Sequence, residues 1–369
     1  MAGTADDVID RLAALSTRRS DYEWAWRQVT KVAAPDASGF DASSAGGAAG
    51  TMMPMANATR RSKDIYDSTA VWAVDRLASG IEALIIPPSE YWHGFDLVDF
   101  TAEEATDGEK LWMEKLRNLH FKVRYDADSG WVAATQTCLR RLVQFGNAFM
   151  IVEDGLDGRA MIRYRPLPLS QCYADENHQG IIDTFYWVFD LTARQAVQKY
   201  GDRVSPKIKA AAENAKEKDR LFRFIQATFP RADYGHSYEG IKRAPWATCH
   251  VEQDSRLVVR ESGYYEFPVI DFRWLPEPGS VYGEGPIMKC LADVQSLNMM
   301  AKNELIASDQ AVRPPLLVAN AGVANHPDTT PGGVTMGGIS PDGKQLVQPM
   351  FTGQRLDFAT LVLEAKRNQ

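Results

Sequence analysis

The stretch "SVYGEGPIMKC", residues 280–290, poses the question on which the fold turns. Gly283 and Gly285 flank one residue, Pro286 follows, and a long helical pattern opens behind it. Glycines before a helix either cradle a phosphate or form a joint. "YGEGP" is too short for a dinucleotide fingerprint, and it lacks the Gly-Lys-Ser/Thr of a phosphate loop. Pro286 removes a backbone N–H where a phosphate wants a donor, yet it suits the first turn of a helix, whose N–H is spare. The stretch therefore reads as a joint. Gly283 and Gly285 let the chain turn sharply, and Pro286 launches the helix.

Behind the joint, "PIMKCLADVQSLNMMAKNELIASDQAV" runs for 27 residues without a breaker. Ile287, Leu291, Val294, Leu297, Met300/Ala301 and Leu305 form one apolar stripe, with Lys289, Asp293, Lys302 and Asp309 outside it. At ~1.5 Å per residue such a helix runs ~40 Å. Pro314 and Pro315 stop it. Several Gly/Pro turns follow, with Gly332, Gly333, Gly337 and Gly338 among "GGVTMGGISPDGKQLVQPM", and they predict short strands on an exposed β-ribbon. "LDFATLVLEAKRNQ" then starts another helix that has no C-cap, which predicts a fragment of something longer.

Upstream of the joint the pattern is mixed. Residues 5–33 predict a helix on Val8, Leu12, Leu15, Tyr22, Trp26 and Val29. Trp24 faces away from Tyr22 and Trp26, a position for a partner-subunit contact. Residues 34–60 are Gly/Ser/Ala-rich and aperiodic, and predict a mobile loop. A helix over 61–86 presents Ile65, Thr69, Trp72, Leu77, Ile81, Leu84 and Ile85 as its apolar face. A short strand at 91–99 and helices at 103–122 and 130–144 come next. Residues 145–190, rich in β-branched and aromatic types, predict a small antiparallel sheet. Thr192 N-caps a short helix that Gly201 ends. A charged helix over 206–218 precedes strands at 221–228, 244–252, 256–260 and 267–274.

Composition sets limits on function. The chain has 369 residues, 45% hydrophobic and 24% charged, enough for two or three domains. No apolar run approaches the roughly 20 residues that span a bilayer. The N-terminus lacks the basic and apolar regions of a signal peptide, so a soluble, intracellular product is expected. A net charge of -7 disfavours gripping DNA through a basic surface, though it does not exclude a protein that surrounds DNA. Cys138, Cys172, Cys249 and Cys290 form no CxxC pair, so reduced thiols are expected. Cys249 and His250 are adjacent on a strand and point to opposite faces, so one metal cannot easily take both. The six histidines show no HxxxH spacing, and "GHSYE" at 235–239 has Glu239 where a nucleophile elbow needs glycine, leaving Ser237 as a loop hydroxyl. No catalytic, cofactor or metal residue is assigned.

Several stretches together carry a resemblance. They are "DSTAVWAVDRLASGIEALIIPPSEYWHGFDL", "ADENHQGIIDTFYWVFDLTARQAVQKYG" and, most telling, residues 261–318, where Gly-Tyr, Phe-Pro and Arg-Trp lead into Tyr-Gly-x-Gly-Pro and a long helix ending in Pro-Pro. The chain resembles the portal, or head-to-tail connector, proteins of short-tailed, T7-like phages over about residues 5 to 369. The resemblance implies an α+β, portal-like fold. Residues 1–285 would be a mixed wing, 286–313 the first stem helix, 314–354 a small β-rich clip, and 355–369 the start of the second stem helix. The rest of the wing, the tunnel loop and the crown would be absent. It further implies a non-enzymatic ring, commonly of twelve subunits, at one capsid vertex of the virion, made in the host cytoplasm. Its partners would be major capsid and scaffolding proteins, the terminase large subunit, tail adaptor proteins and double-stranded DNA held non-specifically, with no cofactor and no membrane. Two other readings stand beside it. One is a different virion adaptor, and the other is a nucleotide hydrolase, which would need the phosphate-loop lysine that is missing.

Overall fold

Eight helices and ten strands are assigned among the described residues. The computed structural model describes residues 5–37, 39–40, 63–96, 106–155, 160–232, 235, 239–312, 316–318, 339–340, 342–349 and 364. The helices are α1 (Ala5–Val32), α2 (Thr69–Ile85), α3 (Asp107–Arg124), α4 (Trp131–Phe145), α5 (Ala193–Tyr200), α6 (Pro206–Glu213), α7 (Pro286–Lys289) and α8 (Leu291–Val312). The strands are β1 (Asn147–Asp154), β2 (Ile162–Leu167), β3 (Cys172–Glu176), β4 (Ile182–Thr192), β5 (Leu221–Pro230), β6 (Trp246–Glu252), β7 (Leu257–Tyr264), β8 (Val269–Arg273), β9 (Leu316–Val318) and β10 (Val347–Pro349). The chain divides into two units. One joins residues 1–64 to 70–291, and the other joins 65–69 to 292–369. The mixed helix and antiparallel-sheet composition agrees with the expected α+β class.

The first unit is built on two antiparallel sheets, of order β3-β4-β5-β6-β7 and β2-β1-β8. The sequence predicts one small sheet over 145–190. Instead β1 pairs with β2 on one side and, on the other, with β8 from more than a hundred residues downstream, and β3 and β4 open a separate sheet. Short-range alternation cannot distinguish these pairings, because each strand offers the same period of two whichever neighbour it finds. On one face of the larger sheet, Val8 and Leu15 of α1 cover Tyr173, Tyr186, Val188, Ile225, Ala227 and Val251. Phe149 of β1 meets Phe185 of β4 at a ring distance of 5.0 Å on the other face. Helix α4 lies on the smaller sheet, packing Trp131, Ala134 and Cys138 on Ala148 and Met150.

Arg19 anchors α1 to the sheet edge. It is 2% exposed. Its guanidinium donates to the carbonyls of Leu169, Ser170 and Cys172 and to Glu23, and it lies 3.8 Å from the centre of the Tyr173 ring. All five donors of an arginine are hard to place in a core, and here three backbone carbonyls and Glu23 receive donors.

Local capping chemistry explains several boundaries. Thr106 and Glu109 form a reciprocal capping box, which starts α3 at Asp107 instead of 103. Thr192 and Gln195 do the same for α5, and Gly201 follows its last residue. Helix α2 begins at Thr69, not 61, because Asp67 Oδ1 accepts from Thr69 N at 2.9 Å and fixes a turn before it. Its buried residues are the small Ala70, Val74 and Ala78, whereas Trp72, Leu77, Leu84 and Ile85 are exposed, which overturns the expected apolar face. Helix α6 ends at Glu213, and Asn214 Oδ1 turns the chain by accepting from Lys216 N. Residues 91–96 form no strand; their rings pile on α3, with His93 4.6 Å from Phe121 and Phe95 4.9 Å from His120. Within the expected mobile loop, Ala34, Ala37 and Phe40 are buried, and the Phe40 ring rests on Trp26 and Phe145; residues 41–60 lie outside the described residues.

In the second unit, α8 packs Leu297, Ala301 and Met300 together. Asn298 Oδ1 accepts from the backbone N–H groups of Tyr66 and Asp67, tying residues 65–69 to this helix. The long helix is not continuous from 286. It breaks at Cys290, whose φ of -100° and ψ of 16° leave the helical region and whose Sγ donates to the Pro286 carbonyl at 3.2 Å. That carbonyl also receives the Cys290 N–H, so α7 closes on itself before α8 starts. No helix among the described residues is long and apolar enough to cross a membrane.

His250 couples this fold to pH. It is 4% exposed, with Nδ1 2.9 Å from the Tyr200 hydroxyl. Burial, reinforced by Lys199 and Arg260, pushes its pKa down to about 3. The unfolded chain therefore binds a proton near 6.5 that the folded chain refuses until far lower. Stability is fully present above about 6.5 and falls as pH drops toward the folded value. Urea denaturation should show a loss of about 2 kcal/mol between pH 7 and pH 5 from this group, and His250→Gln should flatten that slope.

Candidate functional site

The joint is assembled from segments far apart in sequence. Helix α4 ends at Gly146, whose φ of 73° makes it a left-handed C-cap donating to Leu142 O at 2.9 Å. Its own carbonyl accepts from Trp274 N at 2.9 Å, and Glu284 N donates to Trp274 O at 3.0 Å. The next residue, Asn147, is completely buried. Its amide oxygen accepts from Gly283 N at 2.9 Å, while Nδ2 donates to Gly283 O at 2.9 Å and Phe145 O at 3.1 Å. The side chain thus serves Gly283 as a strand partner would, satisfying both of its backbone groups.

Three glycines allow this closeness. A Cβ on Gly285 would sit 2.5 Å from Gly146 N and 2.9 Å from Val143 O. One on Gly283 would sit 2.8 Å from Trp274 N and 3.0 Å from Gly146 O. The φ of Gly285 is -74°, an angle any residue adopts. The expectation that these glycines permit a sharp turn is therefore corrected: Gly283 and Gly285 are needed for backbone-to-backbone contact. Pro286 does occupy the first position of α7, behind an extended Gly285. The Gly283 and Glu284 N–H groups are already spent on protein acceptors, so they are not offered to a phosphate.

Aromatic side chains clamp the residues just before the glycines. Tyr282 is buried, and its hydroxyl accepts from Ala174 N at 3.1 Å. Its ring meets Trp26 edge-on at 5.3 Å and Tyr22 at 5.2 Å. Burial pushes the Tyr282 phenol up to about 12. Ser280 Oγ lies 2.5 Å from the Tyr22 hydroxyl and 2.6 Å from Tyr282 O. Trp26 Nε1 donates to Phe145 O, which brings α1 into the same contact.

Beyond the joint, Ile287 and Leu297 are buried, Leu291 and Val294 are half-buried, and Leu305 is 57% exposed. Met299 and Ile306 are also exposed, at 58% and 46%. Of the residues assigned to the clip, Pro314, Pro315, Gly332, Gly333, Gly337 and Gly338 lie outside the described residues. What is described there is antiparallel: β9 pairs with β10, and Ile339 bridges Gln345 across a turn at Gly343. Trp24 is 65% exposed, on the side of α1 away from Trp26. Ser237 and His236 lie outside the described residues. Among the described residues no His/Cys/Asp/Glu cluster could hold a metal ion. His250 bonds to Tyr200, whereas burial pushes the Cys249 thiol up to about 11. Sequence reasoning missed Gly146 and Asn147. The glycine ending the 130–144 pattern was a visible cap signal, but no pattern joins it to residues 136 positions away.

Comparison with known proteins places these features in a wider frame. A family model described as bacteriophage head to tail connecting protein matches residues 5–368. The chain is 25% identical over 341 residues to the probable portal protein of Bordetella phage BPP-1, covering 91% of this chain and 58% of that one. It is 26% identical over 337 residues to the portal protein of Salmonella phage epsilon15, covering 89% of this chain and 57% of that one. The chain therefore spans a little over half the length of these curated relatives.

Two substitutions test the joint. Gly285→Ala drives a methyl group into rigid backbone and should cost about 3 kcal/mol in chemical denaturation. Asn147→Ala leaves the buried Gly283 N–H and C=O unpaired and should cost about as much, or about 3 kcal/mol.

Proposed function

Because this chain belongs to the family of bacteriophage head to tail connecting proteins, we propose that it is a portal subunit. In that role it joins a ring, commonly of twelve copies, at one capsid vertex. The viral genome is packaged and later ejected through the ring. The single observation that carries the reading is the family match running through residues 5–368. Residues 1–285 serve as wing, 314–354 as clip and 355–369 as the start of a second stem helix. With α7 and α8 divided at Cys290, the first stem helix on this reading runs from Leu291 rather than 286.

Physical features support this role. Met299, Leu305 and Ile306 leave apolar surface on α8 that a neighbouring copy would bury. A net charge of -7 suits transient contact with DNA, since each phosphate contact adds affinity and drag. The role is structural, and the working partners are capsid and scaffolding proteins, the terminase large subunit, tail adaptors and DNA passing through. Its place is the portal vertex of the virion.

Electron microscopy of the purified protein under assembly conditions should show rings. Leu305→Glu should reduce ring yield while leaving monomer stability within about 0.5 kcal/mol, as for other exposed positions. Only compact monomers from the parent protein would sink the portal reading.

A further inference from the structure

Register aligns four residues across the larger sheet. Trp187, Gln226, His250 and Arg260 are direct neighbours on β4, β5, β6 and β7, so their side chains leave the same face. Trp187, Gln226 and His250 are buried, and α5 covers them with Tyr200. Cations gather at the rim of this rung. Lys199 Nζ lies 4.7 Å from the centre of the Phe189 ring, 5.5 Å from Tyr200 and 5.9 Å from Trp187. Arg165 of β2 stacks on the same Trp187 at 4.5 Å. Its carboxylate partner is Glu153, at 2.9 Å. Arg260 is exposed, Lys199 is largely desolvated by the rings it lies on, and among the described residues neither forms an ion pair.

Lys199, Arg165 and Arg260 thus come to the same rim as Glu153, which Arg163 of β2 also faces in register, on a chain whose net charge is -7. Like charges brought this close repel one another. The Lys199 ammonium is pushed down to about 8, by burial first and then by Arg165 and Arg260.

We propose that Lys199, Arg165 and Arg260 form a binding site for a phosphoryl oxyanion, supplied as free phosphate or by the phosphodiester of DNA. The two guanidinium groups supply planar forks and the lysine supplies a point charge. The aromatic floor holds the lysine stem at the rim, so the site exists before the anion arrives. It belongs to a single chain and needs no ring, so it stands or falls separately from the portal reading.

Limited acetylation followed by peptide mass spectrometry reads the site directly. A bound oxyanion stabilises the Lys199 ammonium, and each pKa unit regained lowers its neutral, reactive fraction about tenfold. At pH 7, labelling of Lys199 should fall at least about fivefold in inorganic phosphate or with a short DNA duplex, relative to chloride at equal ionic strength. Labelling of the exposed Lys31 on α1 should be unchanged. Protection by inorganic phosphate assigns the free ion as ligand, and protection by duplex alone assigns the phosphodiester. Arg260→Gln, at an exposed position, should keep the circular dichroism spectrum and abolish protection. Equal labelling in all buffers would overturn the site, as would protection that survives Arg260→Gln.

Discussion

The first unit depends on one close approach of backbone to backbone. Residues 143–147 and 283–285 come together where no Cβ fits, and the side chain of Asn147 completes the hydrogen bonds that a strand would otherwise supply. That contact ends α4, starts β1, receives the chain from β8 through Trp274 and delivers it to α7. Tyr282, Trp26, Tyr22 and Phe40 then gather round it and bind α1 to the same point. Five elements share one anchor, so a change of a single methyl group there is felt by all of them.

The larger sheet divides its labour between two faces. Under α1 it is apolar, and Arg19 closes the edge by feeding its donors to carbonyls of 169–172. The opposite face carries Gln226, His250 and the buried Glu252, which accepts from Ser205 N and Oγ. A polar layer inside a protein specifies register because each group must find its partner. Here it also leaves positive charge at the rim, against the sign of the whole chain.

Much of the helical framework was legible. Helices α1 and α4 and the capping residue Thr192 follow from period and cap chemistry, which act within a few residues. The joint was legible as a joint, because a missing lysine and a proline at the first helical turn are local facts. The reason for its glycines was not. Sequence suggested torsion, whereas the requirement is steric and comes from residues 136 positions away. The division of the strands into two sheets, the burial of Phe40 inside a low-complexity stretch, and the small-residue packing of α2 were hidden for the same cause. Each depends on a partner that no window of sequence contains.

The sequence by itself determined the class of elements, the order of helix-and-sheet segment, glycine turn and long helix, the absence of a phosphate loop and the family resemblance. Those rest on periodicity, capping and residue chemistry, which are set by neighbours along the chain. Tertiary structure alone decided which strands pair, that Asn147 must lie beside Gly283, that Cys290 interrupts the helix, and that Lys199, Arg165 and Arg260 share one rim. Those rest on contacts across the fold, whose free energy depends on what arrives from elsewhere in the chain.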